Sequence, residues 1–261
     1  MTGTNVTDAD ATADATADAP KGGIQELDRR AVLRSAEIVA QVRDGQWDDP
    51  TPCGTWSLRR LLAHMTAQHL GFAAAAEGGP VDEAVWQETP LDDPRRAYAD
   101  SVDRVLDAFA ADGVLDREVV LPWIHPTFGF AAPRAIGFHL VDYVVHGWDV
   151  AASLGIRAAY DEDLVLAAAE VAREEVPEGP SRERPGASFR PAVELAGAAS
   201  AEDRLLAALG RDPRWSPKQR AGCRDRPMRL TGDEGTAPRR VRTRTLLPPP
   251  RPPRARRRPG A

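Results

Sequence analysis

Phe138-His139-Leu140-Val141-Asp142-Tyr143-Val144-Val145-His146-Gly147-Trp148-Asp149-Val150 is the stretch on which the fold turns. Its ionisable residues, His139, Asp142, His146 and Asp149, stand at i, i+3, i+7 and i+10, which is one stripe of an α-helix. Every other position in the span is apolar, aromatic or glycine. A helix that is apolar around most of its circumference is buried, so the stripe faces the interior. Buried titratable groups are costly unless they are paired or bind a cation. Asp142 and His146, four residues apart, project carboxylate and imidazole toward one point, as a helical metal site requires. The same spacing serves a plain Asp–His hydrogen bond, and both readings stand at this point.

Further helical patterns surround this one. The pattern predicts a first helix over Ile24 to Val42, with Leu27, Val32, Leu33, Ile38, Val39 and Val42 as apolar positions. Residues Asp48 to Gly54 read as a loop, and Ser57 can cap a second helix carrying Leu58, Leu61, Leu62, Met65 and Phe72. Gly78-Gly79-Pro80 ends it. A third spans Pro94 to Ala111 with Tyr98, Val102, Val105 and Phe109 in phase, and the fourth runs from near Pro133 to Gly155. Glu118 to Phe130, rich in β-branched and aromatic residues, is an extended excursion or short hairpin. Asp163 to Glu175 and Ala201 to Leu209 are shorter helices. The class expected is all-α: an antiparallel four-helix bundle with additions.

A metal site needs a third ligand from another element. His64, beside the Leu61/Leu62/Met65 face, is the candidate, against the blander reading of a half-buried, hydrogen-bonded histidine. His69 lies about 140° further round the same helix, so it is expected to be exposed. His125 falls in the excursion, at a cavity mouth or in ordinary loop. His139 sits one turn before the pair, as second shell or pocket wall. Asp149 and Trp148 are expected to be structural. Cys53 is read as a small buried residue, with a reactive thiol near a helix N-terminus as the alternative.

Composition bounds the rest. The chain has 261 residues, a formal net charge of −5 and two cysteines, too few for a disulfide framework or a Cys-based zinc cluster. No run reaches the roughly 18 apolar residues of a membrane span, and the N-terminus has no signal-peptide pattern. A cytoplasmic protein is expected. Residues 1–21, an Asp/Ala/Thr-rich leader, are expected to be disordered. From Gln219 to Ala261 there are 13 Arg against 3 acidic residues, with 8 of the 23 prolines. Residues 218–261 therefore read as a disordered Arg/Pro-rich tail: a nucleic-acid arm, or the out-of-frame product of an arginine-rich, high-GC gene. The acidic remainder argues against nucleic acid. Residues 22–217 are the expected folded domain.

Thr51-Pro-Cys-Gly-Thr-Trp-Ser-Leu-Arg-Arg-Leu-Leu-Ala-His64 is similar to the Pro-Cys-x-x-Trp-[Ser/Thr]…His opening of the metal-binding DinB-like proteins related to mycothiol-dependent maleylpyruvate isomerase. His139-Leu-Val-Asp142-Tyr-Val-Val-His146-Gly-Trp-Asp149 resembles that family's second signature. Phe189 to Trp215, with Leu209-Gly-Arg-Asp-Pro-Arg-Trp, resembles the close of its single-domain branch. The resemblance implies a divalent metal, commonly zinc, held by His64, Asp142 and His146. Relatives carry Glu or His where this chain has Asp142, which is one methylene shorter than Glu, so ligation there is direct or through water. Three protein ligands leave a position open, as in catalytic zinc sites. The activity implied is a thiol-dependent isomerase or S-transferase in which the metal activates a low-molecular-weight thiol, mycothiol, toward a small electrophile. The alternative is a non-catalytic metal-binding or regulatory protein on the same bundle. The isomerases carry a further C-terminal domain that the tail's composition does not supply.

Overall fold

Six helices and one two-stranded sheet make up the computed structural model, which describes residues 22–217 apart from 79–81, 123, 126, 185 and 186. The acidic leader, the basic tail and Cys223 lie outside the described residues. The helices are α1 (Ile24–Val39), α2 (Leu58–Glu77), α3 (Pro94–Ala110), α4 (Ala132–Leu154), α5 (Glu162–Glu175) and α6 (Ala201–Ala208). Strands β1 (Glu118–Val120) and β2 (Gly129–Ala131) pair antiparallel between α3 and α4, with Val119 opposite Phe130. The excursion is thus a short hairpin whose Val119 and Phe130 turn inward. No helix is long and apolar enough to cross a membrane among the described residues.

Local chemistry sets the helix ends. Ser57 accepts a hydrogen bond from the Arg60 N–H and caps α2, as its position foretold. Asp93 does the same for α3, ahead of Pro94 in the first turn. Gly155, in the left-handed region, closes α4. α1 stops three residues earlier than the apolar pattern predicts, yet Val42 remains buried just beyond it.

α1 packs mainly on α4, and α2 mainly on α3, with thinner α1–α3 and α2–α4 contacts and α5 laid on α4. One continuous core results, holding Ile38, Leu58, Leu61, Leu62, Met65, Tyr98, Val105, Leu140, Tyr143 and Leu206. Leu33, counted among the apolar positions of α1, faces outward instead. Gly71 is required where it stands: a Cβ there would lie 2.0 Å from the Trp86 ring, which packs against α2 at this point. Trp86 belongs to the turn Glu83–Trp86 between α2 and α3, two residues before Glu88.

Candidate metal centre

α4 delivers Asp142 and His146 one turn apart, and α2 delivers His64 to the same place. One donor atom from each of the three residues lies within 4.8 Å of the other two. The imidazoles of His64 and His146 meet edge to face at 5.2 Å between centroids, and His146 Nε2 is 3.4 Å from Asp142 Oδ1. The three residues singled out from the sequence are therefore together in space, although His64 and Asp142 are 78 positions apart.

What surrounds them matters as much. His146 Nδ1 is 2.9 Å from Asp149 Oδ2, and His64 Nδ1 is 3.3 Å from Glu88 Oε1. With each Nδ1 facing a carboxylate, Nε2 is the ring atom turned away from that carboxylate, and in His146 it faces Asp142 Oδ1 at 3.4 Å. Carboxylate-oriented histidines of this kind are a feature of metal sites, where the outer carboxylate fixes ring orientation and raises ligand basicity. Each carboxylate is in turn held by an arginine: Arg211 Nη2 lies 3.1 Å from Asp149 Oδ2, and Arg60 Nε lies 3.1 Å from Glu88 Oε2. Arg60 also stacks on Trp56, whose indole packs against His64.

The electrostatics follow from burial. Removal from water works against a charge on His146, but the adjacent Asp142 and Asp149 outweigh it and hold its pKa well above the ordinary histidine value. Burial opposes ionisation of Asp149, yet Arg211 and His146 bring its pKa down to about 2. The carboxylates on its two sides thus favour the protonated form of His146 in the metal-free chain.

A second cluster, Cys53, His146 and Asp149, also has donor atoms within 4.8 Å of one another. Its charge is already met by a cation of the chain itself. Arg211 Nη2 is 3.7 Å from Cys53 Sγ and 3.1 Å from the Asp149 carboxylate. The Cys53 thiol donates to Asp149 Oδ2 at 2.9 Å, and burial pushes its pKa up. Cys53 is only partly buried, where the sequence reading had it buried, and its thiol is tied to Asp149.

Two other histidines depart from expectation. His69, expected to be exposed, is fully buried. Its ring stacks on Tyr143 at 4.0 Å, and its Nδ1 meets Ser101 Oγ at 2.9 Å. The far side of α2 is not solvent, because α3 covers it. Burial and the neighbouring His139 push the His69 pKa well down. His139, read as second shell or pocket wall to the pair, has a different partner, Asp28 of α1 at 2.7 Å, within a box of Phe72, Phe109 and Tyr143. His125 stays in the hairpin loop, where its Nδ1 accepts the Phe128 N–H.

Asp142 opens on a cavity of about 470 Å³ whose walls include Phe72, Phe130, Phe138 and Phe189. At its rim Arg134 forms a two-pronged pair with Glu175, both contacts 2.7 Å, and stacks over Phe130 and Phe138. A small molecule with an apolar body can therefore lie beside the His64/Asp142/His146 group. Asp149, expected to be structural, is the carboxylate on His146, while Glu88, Arg60 and Arg211 carried no role in the sequence reading. Only the Asp149 offset of three residues from His146 signalled a contact.

Residues 28–151 match the family described as the mycothiol maleylpyruvate isomerase N-terminal domain. Over those residues the chain is similar to this family. The match spans α1 to α4 and includes His64, Asp142, His146 and Asp149; Arg211 and Phe189 lie beyond it. Two uncharacterized proteins, from two strains of Mycobacterium tuberculosis, are each 28% identical over 193 residues, covering 71% of this chain and 96% of theirs. Crystal structures of the mycothiol-dependent maleylpyruvate isomerase and of a histidine-to-alanine mutant of it align at TM-scores of 0.45 and 0.46, with 16% and 14% identity. Each alignment covers 56% of this chain, which spans 66% of the length of those chains.

Proposed function

We propose that the chain is a divalent-metal protein, zinc being the expected ion, with His64, Asp142 and His146 as ligands, and that it runs a thiol-dependent isomerisation or thiol transfer on a small electrophile. On this reading residues 22–217 form the domain, and α1 to α4 form an antiparallel four-helix bundle that carries the ligands. The observation behind it is the convergence of His64, Asp142 and His146, with donor atoms within 4.8 Å of one another, while the Nδ1 atoms of the two histidines face Glu88 and Asp149. Such a donor set, two imidazoles and one carboxylate, suits zinc. Bound there, the ion would supply a Lewis acid that stabilises a thiolate.

The chain's own residues do the rest. Asp149 and Glu88 orient the two rings. Asp142, partly exposed, borders the aromatic cavity, so substrate bound there reaches the ligand group from the Phe130/Phe138 side. The four phenyl walls favour a flat apolar body, and the Arg134–Glu175 pair with Gln68 adds polar groups to the lining. Mycothiol is the thiol we assign, on the family relation, and the cytoplasm the compartment.

The test is the metal content of the purified chain beside its His64→Ala and Asp142→Ala variants. Near-stoichiometric zinc, lost in both variants, is expected. A folded chain that takes up no zinc refutes the proposal. Zinc binding without turnover of mycothiol and a conjugated electrophile would favour the non-catalytic, regulatory reading.

A further inference from the structure

The two candidate ligand histidines are supported in the same way but not equally. On one side, Arg60 holds Glu88, which faces His64; on the other, Arg211 holds Asp149, which faces His146. The first chain lies at the surface, with side-chain exposures of 53% for Arg60 and 32% for Glu88. The second is enclosed, at 8% for Arg211 and 0% for Asp149. Arg211 reaches both carboxylate oxygens, with Nη2 3.1 Å from Oδ2 and Nε 3.5 Å from Oδ1, and its Nη1 donates to the Leu209 carbonyl. A buried, two-pronged guanidinium is held against solvent competition; an exposed single contact is not.

Arg211 arrives there through its own stretch of chain. It follows Gly210, whose φ of +77° and whose approach to the Arg190 backbone (a Cβ would meet that carbonyl oxygen at 2.6 Å) admit glycine alone without strain. The Arg211 N–H bonds back to the Leu206 carbonyl in α6, and its guanidinium lies over Phe189, a wall of the cavity. This stretch lies outside the segment that matches the family, which ends at residue 151.

We propose that Arg211 is a positioning residue for the metal centre: by clamping Asp149 it fixes the ring of His146, so that the segment after α6 is a working part of the site. The inference rests on the metal reading above. Outer partners of ligating histidines are typically worth 10- to 100-fold in metal affinity.

The experiment is zinc affinity of the full chain, by chelator competition, for wild type and Arg211→Ala, Arg211→Lys and Arg60→Ala, with folding followed by circular dichroism. The expected result is zinc binding weakened about 10-fold or more by Arg211→Ala. Arg211→Lys, which keeps the charge but not the fork, should fall between it and wild type. Arg60→Ala should shift affinity less than Arg211→Ala. The visible absorption band of the cobalt(II)-loaded chain should move in Arg211→Ala and return toward wild type in Arg211→Lys, since it reports ligand geometry and not general stability. A folded Arg211→Ala with wild-type affinity and spectrum overturns the proposal, as does an Arg60→Ala loss equal to that of Arg211→Ala. Should Arg211→Ala fail to fold, Arg211→Lys decides, and wild-type affinity in it overturns the positioning role. Wild type that binds no zinc overturns the metal reading, and the role of Arg211 with it.

Discussion

Replacing Gly71 by alanine tests the packing of α2 by the sign of its effect. In an ordinary helix interior this change stabilises by about 1 kcal/mol, because alanine has the better propensity. Here the new methyl would stand 2.0 Å from Cε3 and 2.2 Å from two further atoms of the Trp86 indole. Carbon atoms need about 3.5 Å, so the indole must retreat by roughly 1.5 Å. Trp86 also packs edge to face on Phe72 at 5.6 Å, so retreat loosens a second contact. Overpacking of this kind costs about 1–3 kcal/mol, which outweighs the propensity gain or at least cancels it. The net expectation is a destabilisation of about 1 kcal/mol, read from urea midpoints at unchanged m-value. The same shift should loosen zinc, because the displaced turn leads directly to Glu88, the carboxylate on His64. A variant stabilised by about 1 kcal/mol, as an unhindered helix position would be, refutes the reasoning.

Acid should weaken the metal-free chain in a defined window. The Asp149 pKa falls from 3.8 to about 2 on folding, which contributes about 2 kcal/mol at neutral pH. That contribution is full above the unfolded value and is lost as pH falls from about 5 toward 2. Denaturant titrations of chelator-treated wild type and Asp149→Asn should therefore converge over that range, and parallel curves would contradict the assignment. His69, held neutral by burial, adds a loss of stability that begins as pH drops below about 6.5; His69→Gln should flatten that part of the curve. Cys53, with its pKa raised, should alkylate with iodoacetamide at pH 7 more slowly than a free thiol, and unhindered labelling followed by mass spectrometry would show the thiol to be free of Asp149.

The helices were legible because each carries its own apolar period and its own punctuation. Ser57, Pro94 and Gly155 act on neighbours within a turn, so their effect is written locally. The Asp142/His146 pair was legible for the same reason, since an i, i+4 offset on a helix is a distance. His64 was found through its apolar neighbours and a resemblance in its opening motif, and the fold brings its ring within 5.2 Å of His146.

What lay beyond the sequence is whatever depends on a second element packing against the first. The face of α2 opposite His64 would belong to solvent in an isolated helix, and only the placement of α3 turns His69 into a core residue stacked on Tyr143. His139 shares the stripe of the metal pair, yet α1 supplies Asp28 at 2.7 Å and gives that ring another role. Glu88 and Arg211 stand 24 and 65 residues from the histidines that they serve, in a turn and in a segment without a strong period. Hydrophobic periodicity carries information along one helix axis; the pairing of a buried charge with its partner is set by which surfaces meet. The chain's own pattern therefore determined its helices and the Asp142/His146 pair on α4, and tertiary packing alone decided which carboxylates and arginines hold that pair in place.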